Sequence, residues 1–439
     1  MRRFVAAFAL AILPLASARA QIPRSEYQAR RDSVAARLGD GVLVAFGAEE
    51  PRQDYLSFYQ GSRFRYLTGV MEPGAALVMV RRNGQTATQL FVQPRQPGRE
   101  MWTGTRLGTE GASKLTGVPA RVADSLDFVI DSLARAGLPF YLVSDAGGGE
   151  GGGSAGNPDE ARLRALAGAS VEIRDAGELV DVARGRKSAA ELDLIRKSVD
   201  ITVLAQREAM KAIEPGMNEF EVQALIEYTF RRNGAERPSF ATIVGSGPNS
   251  TTLHYNADDR FMSAGDVVVM DIGASYRGYA ADVTRTVPVS GTFTPEQRAI
   301  YQIVRDAQAA AEQQAKPGAP AQAMDRAATA VLAGGMARLG LIEAPDASYD
   351  CGGTAAQPRQ CPQYRLFYFH GLGHGIGLDV HDPEQFYFTG MLQAGSAFTI
   401  EPGIYVRADA LDHLPDTPRN RALIAKLRPV VQRYADIGV

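Results

Sequence analysis

Short apolar runs separated by turn residues dominate the first part of the chain. Such runs are typical of buried strands, and amphipathic patterns of helical period, such as residues 120–136, lie between them. We therefore predict an α/β domain over residues 21–180, in which a glycine-rich segment at 147–156 forms a surface loop. The predicted strands of this domain are 41–47, 75–80, 89–92 and 140–143.

Longer amphipathic helices follow from about residue 185. Leu192, Ile195 and Val199, for example, recur near helical spacing. The order of elements predicts an α+β domain over residues 185–439, with helices packed on an antiparallel sheet. Its predicted helices are 191–213, 219–233, 295–314 and 321–339, and its predicted strands are 240–244, 267–272, 279–289, 367–369, 397–400 and 403–406.

The first residues have the layout of a secretory signal peptide. Two arginines precede an apolar run over residues 4–15, and Ala18 and Ala20 supply the small residues that a signal peptidase recognises. The apolar run is too short to span a bilayer comfortably. We therefore expect residues 1–20 to be removed during export. The mature chain would then begin near Gln21, in the periplasm or outside the cell, without a membrane partner.

The charge of the chain limits the classes of binding partner, and its cysteine content suggests one disulfide. The 439 residues carry a formal net charge of −2, which argues against a nucleic-acid or anionic-lipid partner. The only two cysteines, Cys351 and Cys361, enclose a short Gly/Pro-rich loop, and in an oxidising compartment such a pair favours a disulfide. Two free thiols are an alternative. A zinc site is a weaker alternative, because no second ligand pair lies nearby.

Two aspartates flank a predicted hairpin in VVVMDIGASYRGYAADVTRTV. If the hairpin turns at residues 277–278, Asp271 lies opposite Thr284, and Asp282 lies on the same face two residues away. Two carboxylates on one buried face repel each other unless a cation compensates them. The apolar flanks favour this metal-binding interpretation over two solvent-facing acids on an edge hairpin.

Histidines are rare and clustered. The chain has five, and three of them, His370, His374 and His381, fall in the segment HGLGHGIGLDVHD. The glycines exclude an ordinary helix and allow the backbone to bend so that the imidazoles can converge. A lone histidine is more often structural than a ligand, so His254, after a glycine-containing loop, is a weaker candidate. His413 lies among acids and prolines, and we expect it at the surface.

Glu401 ends a predicted strand and precedes a Pro-Gly turn. By itself such a residue could be a simple turn acid. Because it follows two aspartates and a histidine, it is a candidate metal ligand and a candidate general base toward a metal-activated water. The ordered set Asp271, Asp282, His374 and Glu401 suits hard or borderline divalent cations at a hydrolytic site.

Several segments of the chain resemble the aminopeptidase P and prolidase branch of the pita-bread metallopeptidases. Three segments match motifs of that family in its order. They are the double-aspartate segment around Asp271 and Asp282, the glycine-histidine loop HGLGHGIGLDVHD (370–382) and TIEPGIY. RYLTGVMEPGAALVMV and LFVQPRQPGREMWTGTRLG resemble the N-terminal domain of its aminopeptidase P group. The resemblance spans most of residues 25–406 and implies a pita-bread fold for the C-terminal domain.

The resemblance implies a dinuclear metal site. Asp271, Asp282, His374 and Glu401 match four of the five ligands that the family uses for two divalent metal ions. The metal is usually Mn²⁺, with Zn²⁺ or Co²⁺ as alternatives. Through these metals the family lowers the pKa of a water and polarises the carbonyl that it attacks.

Three histidines match residues that act on the substrate. His254 and His381 match histidines that contact the substrate and stabilise the tetrahedral intermediate, and His370 matches a histidine that lines the cleft. The implied reaction is hydrolysis of the bond between an N-terminal residue and a following proline. The implied partner is therefore a peptide with proline in its second position.

One feature of the family is missing from the sequence. The fifth ligand would be a glutamate on a last strand that begins near residues 435–439, and no glutamate follows Glu401. We therefore expect a truncated chain that lacks the last strand and in which at least one metal site is weakened. The later aspartates stand in a different context: Asp409, Asp412, Asp416 and Asp436.

The sequence leaves three alternative functions open, and one of its segments bears on whether the chain forms a homo-oligomer. An Xaa-Pro dipeptidase (prolidase) would share the site and differ in substrate length. A pita-bread binding protein that has lost its metals fits less well because four ligands are intact, whereas a degenerating site loses ligands from anywhere. A metal-independent hydrolase of the creatinase type fits less well because its clustered acids would stay uncompensated. Trp102, the only tryptophan, lies in a segment that can reach a neighbouring subunit in this group. It therefore predicts a homo-oligomer, with packing inside its own domain as the alternative.

Overall fold

The computed structural model describes residues 21–53, 55–145, 156–354 and 357–439. The predicted signal peptide, 1–20, and nearly all of the predicted loop at 147–156 lie outside these ranges. The elements of the N-terminal part are α1 (Arg24–Arg37), β1 (Gly41–Phe46), α2 (Ser62–Thr68), β2 (Ala76–Arg82), β3 (Gln85–Val92), α3 (Pro97–Thr103), α4 (Gly108–Thr116), β4 (Ala120–Val122), α5 (Leu126–Arg135), β5 (Phe140–Val143), α6 (Pro158–Ala167), β6 (Ile173–Asp175) and α7 (Gly177–Arg184).

A six-stranded mixed sheet forms the centre of the N-terminal part, in the order β4-β3-β2-β1-β5-β6. Strand β1 pairs antiparallel with β2 and parallel with β5, and every residue of it is buried. Leu43 belongs to a core shared with Val34 of α1, whereas Val42 and Val44 belong to a second core shared with Ile130 of α5. Because helices cover both faces, this strand is an unbroken apolar run, and the predicted α/β architecture is confirmed.

The helix predicted at 120–136 is wrong at its start. Residues Ala120–Val122 form β4, which pairs in parallel with β3 at the edge of the sheet. A 3₁₀ turn at Ala123–Ser125 follows, and α5 begins only at Leu126. Pairing with the sheet therefore overrides the helical period of these residues.

The C-terminal part contains longer helices and several short strands. Its elements are α8 (Ala189–Ala212), α9 (Glu219–Arg232), β7 (Arg237–Pro238), β8 (Ile243–Ser246), β9 (Val267–Ile272), β10 (Ala274–Tyr276), β11 (Tyr279–Ala280), β12 (Val283–Pro288), α10 (Pro295–Glu312), α11 (Gln322–Leu339), β13 (Ser348–Gly353), β14 (Pro358–Pro362), α12 (Gln385–Thr389), β15 (Tyr405–Val406), α13 (Pro418–Tyr434) and β16 (Ile437–Gly438).

Capping residues explain where three of the long helices begin. The side chains of Ser188, Asn218 and Thr294 each accept a hydrogen bond from a backbone N–H of the first helical turn. The side chain of the Glu or Gln three residues later accepts one from the backbone N–H of the capping residue. The four helices predicted in this part are confirmed, with ends shifted by at most two residues. The apolar pattern did not predict α13, which contains Pro429, a residue that normally interrupts helices.

The hairpin that carries both candidate aspartates is built as predicted. Arg277 and Gly278 occupy its turn with positive φ angles of 51° and 76°. The chain then returns so that Thr284 of β12 lies opposite Asp271 of β9. Strand β9 is the centre of a three-stranded sheet, β12-β9-β8, and β10 is the centre of another, β11-β10-β7.

Two predicted strands of this part differ from the structure. The strand predicted at 240–244 lies at Ile243–Ser246, displaced toward the loop that follows it. The strand predicted at 279–289 is interrupted at Ala281 and Asp282, where the chain passes from one small sheet to the other. The predicted single antiparallel sheet is therefore divided into small sheets.

Two further segments predicted as strands are irregular. Residues 367–369 and 397–400 have no strand geometry, although Phe367 O accepts a hydrogen bond from Tyr405 N (2.9 Å). Phe398 forms only an isolated bridge with Gly375. Each segment therefore forms a few backbone hydrogen bonds but no continuous strand pairing. The bridge between Phe398 and Gly375 joins the second segment to the glycine-histidine loop.

Cys351 and Cys361 form the predicted disulfide across β13 and β14, with their Cα atoms 5.7 Å apart. The cross-link closes the hairpin that precedes the glycine-histidine loop. Within the described ranges, no helix combines the length and the apolar character needed to cross a bilayer.

Candidate functional site

A cavity of about 1930 Å³ lies between the N-terminal and the C-terminal parts. Ser62, Arg63 and Asp145 contribute to its wall from the N-terminal part, and the aspartate hairpin contributes from the C-terminal part. All seven candidate residues line this cavity, although they come from separate segments: His254, Asp271, Asp282, His370, His374, His381 and Glu401.

Asp282, His374 and Glu401 converge on one point in this cavity. One ligand atom of each residue lies within 4.8 Å of those of the other two. His374 Nε2 is 3.2 Å from Asp282 Oδ2 and 3.2 Å from Glu401 Oε1. A nitrogen and two carboxylate oxygens in this arrangement are a donor set that suits a divalent cation. In the part of the chain that the structure describes, no other group of three such residues converges this way.

Asp271 lies beside these three residues and completes the predicted aspartate pair. Burial raises the pKa of Asp271 well above its ordinary value, and the nearby Asp282 carboxyl raises it further, while a hydrogen bond with Thr284 opposes both effects. Oδ1 of Asp271 is buried and has no hydrogen-bond partner. A cation would compensate this unpaired oxygen next to a second carboxylate, so the residues fit a metal site.

Thr399 joins the segments that carry His374 and Glu401. Thr399 N donates to His374 O (2.8 Å), and His374 N donates to Thr399 Oγ1 (2.9 Å). The Thr399 hydroxyl lies 2.7 Å from Glu401 Oε1, to which it donates. A Cβ atom at Gly373 would lie 2.2 Å from Thr399 O, so this close approach of the two segments requires glycine.

His374 presents Nε2 to the carboxylates because its other ring nitrogen is occupied. Nδ1 lies 3.0 Å from Gly375 O, and since a carbonyl only accepts, Nδ1 carries a proton. Burial favours the neutral ring, but hydrogen bonds with Asp282 and Glu401 outweigh it and raise the pKa of His374 to about 11. The two carboxylates thus favour a positive charge at this point, a role that a bound divalent cation can fill.

His381 lies against His374, with the ring centroids 4.1 Å apart, and its side chain is exposed to the cavity. The next residue, Asp382, is buried and forms ion pairs with Arg184 and Lys187. Burial alone would raise the pKa of Asp382, but the two cations lower it below its ordinary value. Because breaking a buried ion pair leaves an uncompensated charge, these contacts fix the backbone next to His381.

His370 and Tyr405 form a hydrogen-bonded pair on the cavity wall. His370 Nδ1 lies 2.7 Å from Gly371 O and therefore donates, and His370 Nε2 lies 3.0 Å from Tyr405 Oη. Burial lowers the pKa of His370 and raises the pKa of Tyr405. Both rings are therefore neutral near pH 7, and the tyrosine hydroxyl donates to Nε2. His254 is exposed on the same wall.

Thr399, Tyr405 and Arg184 belong to the site but were not predicted. Thr399 could have been found from the sequence, because it lies two positions before Glu401 in a predicted strand and so shares its face. Tyr405 is in the segment TIEPGIY but carries no signal of its own beyond that position. Arg184 lies 198 positions from its partner Asp382, and no local pattern indicates a contact over that distance.

Two other residues from the sequence analysis lie away from the cavity. His413 is exposed and lies 3.2 Å from Asp409 through Nε2, at the surface as predicted. Trp102 is 77% exposed on α3, so it does not pack inside its own domain.

Val439 lines the cavity and exchanges backbone hydrogen bonds with Ile404 (2.9 and 3.0 Å).

Comparison with protein families gives two matches. Residues 193–422 match the model of metallopeptidase family M24, which covers most of the C-terminal part and every candidate metal ligand. Residues 27–137 match the model of the aminopeptidase P N-terminal domain.

Individual relatives cover nearly the whole chain. A Xaa-Pro aminopeptidase of Escherichia coli (strain K12) is 32% identical over 409 residues, which are 89% of this chain and 89% of the relative. A Xaa-Pro aminopeptidase of Haemophilus influenzae is 32% identical over 398 residues, 89% of this chain and 88% of the relative. Among solved structures, proline aminopeptidase P II from Yersinia pestis matches with a TM-score of 0.78 at 29% identity, over 95% of this chain and 92% of that chain.

Proposed function

This chain belongs to metallopeptidase family M24, in its aminopeptidase P branch, and we propose that it removes the N-terminal residue from peptides whose second residue is proline. The observation that carries the proposal is the convergence of Asp282, His374 and Glu401, with Asp271 beside them, in a cavity large enough for a peptide. Relatives of similar length are Xaa-Pro aminopeptidases, which supports the same substrate class.

Two divalent metal ions are part of this proposal, Mn²⁺ in the first place and Zn²⁺ or Co²⁺ as alternatives. Asp271, Asp282, His374 and Glu401 would hold them. When bound, such ions lower the pKa of a water molecule and polarise the carbonyl of the scissile bond. A donor set of three carboxylates and one imidazole supports a hard or borderline cation such as Mn²⁺ over a soft one.

Three side chains of the site can act on the peptide directly. Burial opposes ionisation of Glu401, but hydrogen bonds from His374 and Thr399 lower its pKa, so its carboxylate can accept a proton from the attacking water. His381 and His254 line the cavity and can donate an N–H to the carbonyl oxygen as that oxygen gains negative charge.

The size of the cavity favours an aminopeptidase over an Xaa-Pro dipeptidase. Its volume of about 1930 Å³ exceeds the roughly 300–1,000 Å³ of ordinary small-molecule sites. Residues beyond the proline therefore have room within the site, whereas a dipeptidase has to accommodate only two.

Cleavage of a defined peptide series tests this function. We expect release of the free first residue from an Xaa-Pro-Yyy tripeptide, and a rate lower by about tenfold or more when alanine replaces proline. Liquid chromatography of the products measures both rates with the full chain. Equal rates on the two tripeptides would contradict proline specificity. Cleavage of the Xaa-Pro dipeptide alone would identify a prolidase instead.

Export is proposed from the N-terminal sequence. The arginine pair, the apolar run over 4–15 and the small residues before Gln21 support signal-peptide cleavage. The disulfide between Cys351 and Cys361 also suits an oxidising compartment. N-terminal sequencing of the protein from a cell fraction outside the cytoplasm should begin near Gln21. A chain that keeps residue 1 and stays in the cytoplasm would refute export.

A homo-oligomer is proposed from the apolar surface of α3. Met101 and Trp102 are 82% and 77% exposed, and none of the residues of this helix is buried. Large apolar side chains that a domain leaves uncovered together often contact another protein. The native mass, measured by light scattering, should therefore exceed that of one chain, and a monomer at micromolar concentration would contradict assembly.

A further inference from the structure

Glu219 is a buried carboxylate that takes no part in the candidate metal site. It is the first residue of α9, and its side chain is completely inaccessible to solvent. Burying a carboxylate is unfavourable unless hydrogen bonds satisfy it. Glu219 meets this condition with five donors from one segment of the chain: Ser246 N (2.7 Å), Ser246 Oγ (2.7 Å), Asn249 Nδ2 (3.2 Å), Tyr255 Oη (2.8 Å) and Arg260 N (3.0 Å).

These donors enclose the segment that carries His254. Ser246 ends β8 and Arg260 lies fourteen positions later, so one carboxylate holds both ends of the loop between them. Tyr255, which donates from inside the loop, directly follows His254. The start of α9 donates two further hydrogen bonds to backbone carbonyls of the loop. Glu219 N donates to Arg260 O (3.0 Å), and the side-chain Nδ2 of Asn218 donates to Asp259 O (2.9 Å).

We propose that Glu219 is a positioning residue for His254: its carboxylate fixes the 246–260 loop so that the imidazole stays on the cavity wall. The proposal rests on the proposed function only where it concerns turnover. Loops without such anchors are the mobile parts of a fold, and a displacement of about 1 Å at a catalytic group can reduce the rate roughly a hundredfold. Glu219 thus acts on the substrate through His254 and not by contact.

The chemistry of the contacts explains why a carboxylate is required. Oε1 accepts from the Ser246 and Asn249 donors, and Oε2 accepts from Tyr255 Oη and Arg260 N. A glutamine has one accepting oxygen and one NH₂ group. In Glu219→Gln, whichever way the amide points, an N–H faces another donor, so one end of the loop is released while the side-chain volume is unchanged.

The spectrum of the histidines tests the positioning role without relying on activity. In protein labelled with ¹³C and ¹⁵N histidine, the His254 ring signal is identified by its disappearance in His254→Ala. We expect that signal to shift and broaden in Glu219→Gln, and to do so more weakly in Tyr255→Phe, which removes one donor. An unchanged His254 signal in Glu219→Gln would overturn the proposal whether or not the protein cleaves peptides.

Glu227→Gln is the matched control. Glu227 lies on the same helix and accepts hydrogen bonds from Thr242 and Gln223 instead of from the His254 loop. The His254 signal should stay at its wild-type position in this variant. If Glu227→Gln moves the signal as much as Glu219→Gln does, the effect comes from general loosening of α9, and the positioning role is refuted. If Glu219→Gln does not fold, Tyr255→Phe decides the same question.

Turnover provides a second readout on the Xaa-Pro-Yyy tripeptide. We expect kcat to fall about 10- to 100-fold in Glu219→Gln with unchanged metal content, and the double variant Glu219→Gln/His254→Ala to be no slower than His254→Ala. Losses that multiply in the double variant would show that Glu219 acts independently of His254. A wild-type protein inactive on all Xaa-Pro peptides would sink the proposed function, and the spectra would still decide the role of Glu219.

Discussion

Replacing Asp282 with asparagine will cause the largest loss of activity. The amide keeps the size of the side chain but removes the charge of a residue that lies 3.2 Å from His374 Nε2 at the point of convergence. Bound divalent metal should fall, and kcat/KM on an Xaa-Pro-Yyy tripeptide should fall about a thousandfold or more. This follows because metal ions contribute several kcal/mol to such reactions and about 1.4 kcal/mol corresponds to a factor of ten. Kinetics and elemental analysis of one preparation measure both effects.

The fold should survive this substitution. Asp282 raises the pKa of the buried Asp271 carboxyl by repulsion, and its hydrogen bond raises the pKa of His374. Removing its charge therefore relieves one unfavourable interaction and weakens one favourable interaction, and the metal-free variant should unfold within about 5 °C of metal-free wild type. Asp306→Asn is the matched control, because Asp306 is an exposed residue of α10 that accepts a hydrogen bond from Gln302 (2.7 Å). It should keep both metal and activity. Normal turnover in Asp282→Asn would show that the hairpin does not carry the site.

Replacing His381 with alanine will reduce turnover while the metal stays bound. The ring lies 4.1 Å from that of His374, but His381 is not one of the converging ligands. A positioned acid, base or hydrogen-bond donor of this kind contributes about 10²- to 10⁴-fold. We therefore expect kcat to fall by a factor in that range and metal content to remain that of the wild type. Steady-state kinetics and elemental analysis separate the two quantities.

His413→Ala is the control for the loss of an imidazole. His413 is 74% exposed and interacts with Asp409 at the surface, so its removal should change neither quantity. Loss of metal in His381→Ala together with normal metal content in His374→Ala would mean that His381 is the metal ligand and His374 is not. Unchanged kcat in His381→Ala would remove His381 from the reaction.

The proximity of the two candidate aspartates could be predicted because local rules determine how their hairpin folds. The positive-φ turn at Arg277 and Gly278 sets the register of the hairpin, and that register places Asp271 opposite Thr284. The two-residue period of extended chain predicted Asp282 on the same face; the strand is interrupted there, and the Asp282 carboxyl still lies close to that of Asp271. The family resemblance added the substrate class and the roles of the histidines, which geometry alone does not specify.

Contacts between distant segments could not be predicted in the same way. The ion pair of Arg184 with Asp382 and the hydrogen bonds of Glu219 to the 246–260 loop both join residues whose local patterns are unremarkable. The division of the C-terminal sheet was also missed. A run of apolar residues predicts extended chain but does not show where pairing passes from one small sheet to the next, as it does at Ala281 and Asp282.

Removal and return of metal is the most direct test of the central claim, that Asp271, Asp282, His374 and Glu401 are held together by divalent cations on which hydrolysis depends. The purified full chain is treated with a chelator, dialysed and assayed on an Xaa-Pro-Yyy tripeptide before and after addition of Mn²⁺, Zn²⁺ or Co²⁺. We expect activity to disappear with the metal and to return when a divalent ion is added, Mn²⁺ being the most effective. Undiminished cleavage by protein shown to be free of metal would contradict it.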